Sequence, residues 1–415
     1  LAGIKQAMKA SFPLPRWLTG VYAGILCLVF GEVYAAQALG MLGIYRAWSV
    51  IPLTLVLGWA AWRVYWGWGA AEFFGGFAEE RALPGRLNGL LYALGAGLFL
   101  LLAVYPVAAW PYSLVSETLH WDAGAYHFPK AVELFKSGNV WDLTIPYGEF
   151  PFGYESLLSL ALLLAGKETF FGTVHALIAV LALLGTWMLA RRYTRLPGGL
   201  LLFGLSLVFL SGLYAVKGNP FYIFKDQVDM IGKNDLFLAA GVLAALAHAP
   251  LGRSGGPPGA HRAHLPGLAF ATLLVLATKP AGMFMVAPLW LPVAWGWWKT
   301  WRGTGCFPWR EVVFAAGVIL PGGMWIVRNL AILHTVFPEG VWVMNEWSIA
   351  NNLTNPFFYG YLPRNFLFLL GVLALALVSW VWRRKPGGRV MLVFLLMFVA
   401  FLFTPESGFQ KTTQE

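Results

Sequence analysis

Charge is what this sequence has least of. Only 12% of its 415 residues are Asp, Glu, Lys or Arg, against 59% hydrophobic, too few to solvate several water-soluble domains. Acids are the scarcer sign, 19 against 29 bases, for a formal charge of +10. In a soluble chain that excess would point to nucleic acid. Between long apolar runs it marks basic loops beside anionic headgroups, and nucleic acid drops out as a partner. Cysteine is almost missing as well: Cys27 in an apolar run and Cys306 in a basic loop fit no disulfide or metal spacing. There is no internal repeat, no glycine-rich phosphate loop between strand and helix, and no catalytic Ser or Cys motif. Without a nucleotide fold, an enzyme working outside the cell would need a substrate already activated on a lipid. The chain opens at Leu1 with neither Met nor a cleavable-signal layout, so it is expected to begin inside a longer product.

What is abundant is apolar and aromatic: mean hydropathy is +0.65, with 31 Phe, 21 Trp and 15 Tyr. The expected fold is an all-α polytopic membrane protein. Eleven runs are candidate transmembrane helices, three of them short enough to need flanking residues or a thin bilayer, at 17–39, 48–66, 88–110, 171–190, 198–216, 235–249, 265–278, 283–298, 312–330, 366–382 and 390–403. Clusters such as Arg191-Arg192, Lys299-Arg302 and Arg383-Arg384-Lys385 belong in the cytoplasm. Residues 112–154, 217–235, 278–282 and 331–364 then fall outside. The apolar run at 155–166 is short for a crossing, and a crossing there would reverse the parity of Arg191 and Arg192; it is expected to dip in and return, a real crossing with a misplaced boundary elsewhere being the competing explanation. The Gly/Pro-rich segment around His261 and His264 reads as a solvated cytoplasmic linker rather than a metal site. The organisation that follows is N-terminal helices over 1–87, a core over 88–364 with outer loops 112–154, 217–235 and 331–364, and C-terminal helices over 365–415.

The polar residues concentrate on the outer side. The stretch Trp121-Asp122-Ala123-Gly124-Ala125-Tyr126-His127-Phe128-Pro129-Lys130 leads into an amphipathic helix lying on the membrane, with Pro129 in its first turn and Gly138 past its end. Asp122 can face a cleft at the bilayer surface and act as general base, while an amine or imidazole opposite stabilises a departing phosphate. The plainer reading is that Asp122 caps the helix or pairs with Lys130. Asp235 stands at the mouth of a span, where an acid needs a partner or a role. Asp226 and Asp229 share a helical face and offer oxygen ligands for a divalent ion, although pairing with Lys225 and Lys233 is the simpler account. Lys279, in Thr278-Lys279-Pro280-Ala281-Gly282, and Arg328, in Arg328-Asn329, sit where a lipid phosphate would lie. His334 follows them before Phe337-Pro338. Glu32, inside the first span, is expected to bond to a neighbouring helix and not to serve the site.

Together these motifs, Asp-x-x-x-Tyr-His-x-Pro from Asp122, Gly-Asn-x-Trp from Gly138, the acid Asp235, the Thr-Lys-Pro-x-Gly turn at Thr278 and the Arg-Asn at Arg328 with its later Phe-Pro, resemble the GT-C-fold membrane glycosyltransferases. That superfamily includes the protein O-mannosyltransferases and the lipid A aminoarabinose transferase. The resemblance covers roughly 88–364 and implies a transferase that moves a sugar from a polyprenyl-phosphate donor to an acceptor lipid, glycan or protein outside the inner membrane. It implies Asp122 and Asp235 as the functional acids, with Tyr126, His127, Lys130, Lys279, Arg328 and His334 contacting substrate. Asp122 is followed by Ala123 where many members carry a second acid, two spans precede the usual first, and the chain stops where relatives often continue. A transporter or lipid flippase, or a non-catalytic subunit of a membrane complex, are the alternatives; the first predicts inverted repeats, which the sequence lacks.

Overall fold

The computed structural model describes residues 16–75, 83–116, 122–194, 196–212, 231–251 and 260–336, and among them there is helix but no strand. The expected spans at 366–382 and 390–403, Asp226, Asp229 and most of outer loop 331–364 lie outside the described residues. Five helical stretches are long and apolar enough to cross a membrane: Trp17–Met41, Ala47–Gly67, Gly85–Ala108, Glu168–Arg192 and Trp309–Leu333. This is consistent with an integral membrane protein.

The first two are α1 (Arg16–Met41) and α2 (Ala47–Gly67), an antiparallel pair. A Cβ on Gly31 would stand 2.7 Å from the backbone N of Gly58, so the two backbones meet at a distance that only glycine allows. One residue on, the buried Glu32 carboxylate accepts from Thr54 Oγ1 at 2.6 Å and Tyr45 Oη at 3.1 Å. Its partners are structural, as the sequence suggested.

After the short α3 (Ala70–Gly75) and the long α4 (Gly85–Ser116) comes α5 (Phe128–Ser137). It ends at Gly138 with φ 74°. There the Arg46 guanidinium donates to the carbonyls of Lys136 and Ser137, at 3.0 and 2.8 Å, satisfying groups a helix C-terminus leaves orphaned. At its start Phe128 meets Trp110 of α4, ring centroids 5.8 Å apart; at its finish Tyr45 N donates to Gly138 O at 3.0 Å. One end of the bundle therefore gathers the C-termini of α1 and α4 and all of α5. The helix does not lie stripe-down on lipid: Ala131 and Leu134 are buried and Val132 and Phe135 pack on the protein core.

Helix α6 (Gly153–Ala165) has 13 residues, roughly 20 Å of helix against the ~30 Å of a hydrocarbon core. Tyr154 at its start lies 5.8 Å from the His127 ring. Just beyond its end, the carbonyl of Glu168 accepts from Trp110 Nε1 at 2.7 Å. Both ends thus stay at the α5 end of the bundle, leaving α7 (Phe171–Tyr193) to run away from it and carry Arg191 and Arg192 to the opposite end.

The remaining helices are α8 (Gly198–Gly212), α9 (Asp235–His248), α10 (Leu265–Leu276), α11 (Gly282–Thr304), α12 (Trp309–Ile319) and α13 (Met324–Leu333). The run expected at 283–298 is helical, but α11 is not among those apolar enough to cross. The run at 312–330 breaks into α12 and α13 at the 3-10 turn Leu320–Gly323, where Pro321 has no N–H to continue the ladder.

Candidate functional site

The approach to α5 is a π-helical turn, Ala123–His127. Stretching the bonding from i→i+4 to i→i+5 brings position 127 back over 122, and such turns recur at functional sites. Asp122 has helical φ and ψ and its side chain makes no cap. Its partner is not Lys130: Asp122 Oδ2 lies 3.4 Å from Lys233 Nζ, on the turn before α9. Two residues further, Asp235 opens α9 and its Oδ1 lies 2.5 Å from Lys279 Nζ, on the turn between α10 and α11. Side-chain exposure is 28% and 16% in the first pair, 50% and 34% in the second. The second pair is open enough to hold little stability, so an incoming anion or hydroxyl can replace either of its partners at small cost, while the first is more covered.

Beneath them lies a buried layer. His127 Nδ1 is 2.6 Å from Glu155 Oε1, each side chain 1% exposed. The contact orients the ring, with Nδ1 turned to the carboxylate and Nε2 away from it. Lys130 Nζ is 3.6 Å from the same Glu155 oxygen and donates to Pro151 O at 3.0 Å. Burial pushes the Lys130 amine down to about 8, with the Glu155 carboxylate pulling the other way. Glu155 Oε2, Glu149 Oε1 and Asn234 Oδ1 are buried without a hydrogen-bond partner among the described residues.

An aromatic wall closes one side. The Tyr126 ring lies 4.1 Å from His127 and 4.7 Å from Tyr147, and Tyr147 stacks on Phe150 at 5.4 Å. Burial first, then the Asp122 carboxylate, raises the Tyr126 phenol, so it stays a hydrogen-bond donor at neutral pH. Tyr147 sits at φ 56°, a left-handed conformation that bulky residues rarely adopt.

Arg328 departs from expectation. Its side chain is 1% exposed and its fork, expected to clamp a lipid phosphate, donates instead to Val140 O at 3.1 Å and Phe150 O at 3.2 Å. Lys130 and Arg328 flank the Phe152 ring, 4.4 and 5.1 Å from its centroid. In this conformation Arg328 moors the first outer loop. His334 is an exposed left-handed residue that ends α13, and no contact among the described residues joins it to the cluster. The structure thus brings together Asp122, Tyr126, His127, Lys130, Asp235 and Lys279, with Arg328 behind them.

Two members were not singled out from sequence. Glu155 was read only as the start of a short apolar dip, although an acid opening such a run is itself a signal; Lys233 was read as a surface partner of Asp226 and Asp229. Among the described residues no group of three His, Cys, Asp or Glu side chains is placed to hold a metal ion. Comparison with known proteins finds no matching family model, no matching curated protein and no matching solved structure. What the arrangement offers chemically is two acid–amine pairs over an oriented imidazole: acids and bases to move a proton, and cations to receive an anion.

Proposed function

We propose that the chain is an integral membrane glycosyltransferase of the GT-C type, which transfers a sugar from a polyprenyl-phosphate donor to an acceptor on the extracytoplasmic face of the inner membrane. The observation that carries this reading is the meeting of Asp122, His127, Asp235 and Lys279, from distant parts of the chain, at one end of the helix bundle. Among the described residues that end lacks the basic runs which the positive-inside rule assigns to the cytoplasm, and those runs fall at the opposite termini of α2, α7 and α11. Eleven spans complete the topology, six of them beyond the five stretches that meet both length and hydropathy, with α6 as a half-membrane element.

In the proposed reaction the acceptor hydroxyl displaces Lys233 from Asp122, which takes the proton as the acceptor oxygen attacks the anomeric carbon. The polyprenyl phosphate leaves with the bonding electron pair, and Lys279, released from Asp235, receives its charge. Tyr126 donates to a substrate oxygen, and Lys130 holds the Glu155–His127 pair in place. Lipid extracted with the purified protein, analysed by mass spectrometry and returned as donor, tests the reading. An isoprenoid phosphate sugar that the protein transfers supports it; turnover-free transport of that lipid in vesicles would support the flippase instead.

A further inference from the structure

At the end of the bundle opposite the Asp122 cluster, a cation stands four residues after an exposed tryptophan three times among the described residues. Arg63 follows Trp59 on α2, and on α11 Lys299 follows Trp295 and Arg302 follows Trp298. The charges lie 5.8, 5.4 and 5.4 Å from the respective ring centroids. Both helices start at the Asp122 end and run away from it, so each cation stands one turn nearer the opposite surface than its indole. That is the order of a membrane interface, ring at the acyl boundary and charge at phosphate depth.

On α11 the pairs are doubled. Trp295 and Trp298 stack on each other at 4.6 Å, and Trp301, Phe307 and Trp309 continue the exposed aromatic surface past the end of the helix. The two sides of the helix are used differently. Inward, Trp290 donates to Thr272 at 3.0 Å and Trp297 to Glu311 at 2.8 Å. Outward, Lys299 and Arg302 meet no carboxylate, and the indole N–H groups of Trp295 and Trp298 no acceptor, among the described residues. Two uncompensated cations and two open donors a turn apart, over an apolar floor, match a phosphate ester with acyl chains below it.

We propose that the outward face of α11 at Trp295, Trp298, Lys299 and Arg302 binds an anionic phospholipid of the cytoplasmic leaflet. The ammonium and guanidinium hold its phosphate, and the indoles lie along its upper acyl chains. A zwitterionic lipid brings its own cation to the same place and so gains less. This stands apart from the transfer reaction and holds whatever the Asp122 cluster does.

The test is native mass spectrometry of the full chain in detergent, with phosphatidylglycerol and phosphatidylcholine of identical chains added in turn. Wild type is expected to retain phosphatidylglycerol preferentially. The double variant Lys299→Gln/Arg302→Gln loses that preference by roughly 10-fold or more, both cations near the anionic surface being removed. Trp295→Leu/Trp298→Leu weakens it with both charges in place, and Lys136→Gln, at the other end of the bundle, leaves it unchanged. Equal retention of the two lipids by wild type, or undiminished phosphatidylglycerol on the Lys299/Arg302 variant, overturns the proposal. A change of oligomer mass in that variant also overturns it, because the face would then belong to a second copy of the chain.

Discussion

Lys130 shows how much one buried side chain decides. Its amine, near 8 in the fold against about 10.5 when exposed, binds fewer protons in the native than in the unfolded chain between those two values. Stability at this position is therefore lowest below pH 8 and rises as pH climbs towards 10.5. The melting temperature of Lys130→Met in detergent should lack that rise, and an identical slope in both proteins would place the titrating group elsewhere. Glu155→Gln leaves Lys130 buried without its counter-charge, at a cost of about 3–5 kcal/mol, read as a large fall in melting temperature. For Arg328→Lys the expected result is failure to rescue: a lysine ammonium cannot reach the carbonyls of Val140 and Phe150 in the fork geometry of a guanidinium. Limited proteolysis of the 140–150 segment should increase in that variant. That Asp122, Asp235 and Lys279 stand out was legible because acids and amines at the mouths of apolar runs are rare, and the structure gathers them in one polar cluster. The burial of Arg328 was not, since sequence marks where a cation lies along the chain and not which carbonyls surround it.

Among the elements, α5 is the one whose limits could be read directly, Pro129 and Gly138 being signals of start and stop that act locally. Its setting was less visible. The same apolar stripe suits a lipid surface or a protein groove, and only the packing of Arg46, Tyr45 and α6 around it decides for protein. Gly138→Ala would place a Cβ 2.7 Å from Arg46 Nη1 at a left-handed φ and should cost about 1–2 kcal/mol, measurable by thermal melting. Helix α6 illustrates the opposite case. Its shortness and the parity of the basic clusters spoke for a return, with a real crossing and a misplaced boundary elsewhere as the competing reading, yet the partners of Glu155 were not visible. Those partners, His127 and Lys130, come from an element some 28 and 25 positions earlier, beyond what local pattern encodes.

For the molecule as a whole, orientation is the property most open to test. Cys27 is buried and Cys306 exposed in the turn between α11 and α12, on the side read as cytoplasmic. A membrane-impermeant maleimide should spare Cys306 in intact cells and label it after permeabilisation. In a Cys306→Ser background, Thr144→Cys on the outer loop should label without permeabilisation. Reversed labelling would turn the protein over and remove the Asp122 cluster from the outer face. The all-helical class was legible from hydropathy alone. The shortness of α9 and α10 was legible too, but the break of α12 from α13 was not, because the turn at Pro321 interrupts a run whose hydropathy reads as continuous. The measurement closest to the central claim compares wild type with Asp122→Asn in transfer of sugar from the proposed donor, an isoprenoid phosphate sugar. Loss of about 100-fold or more in rate with unchanged melting is the predicted result. Equal rates in the two proteins would contradict it.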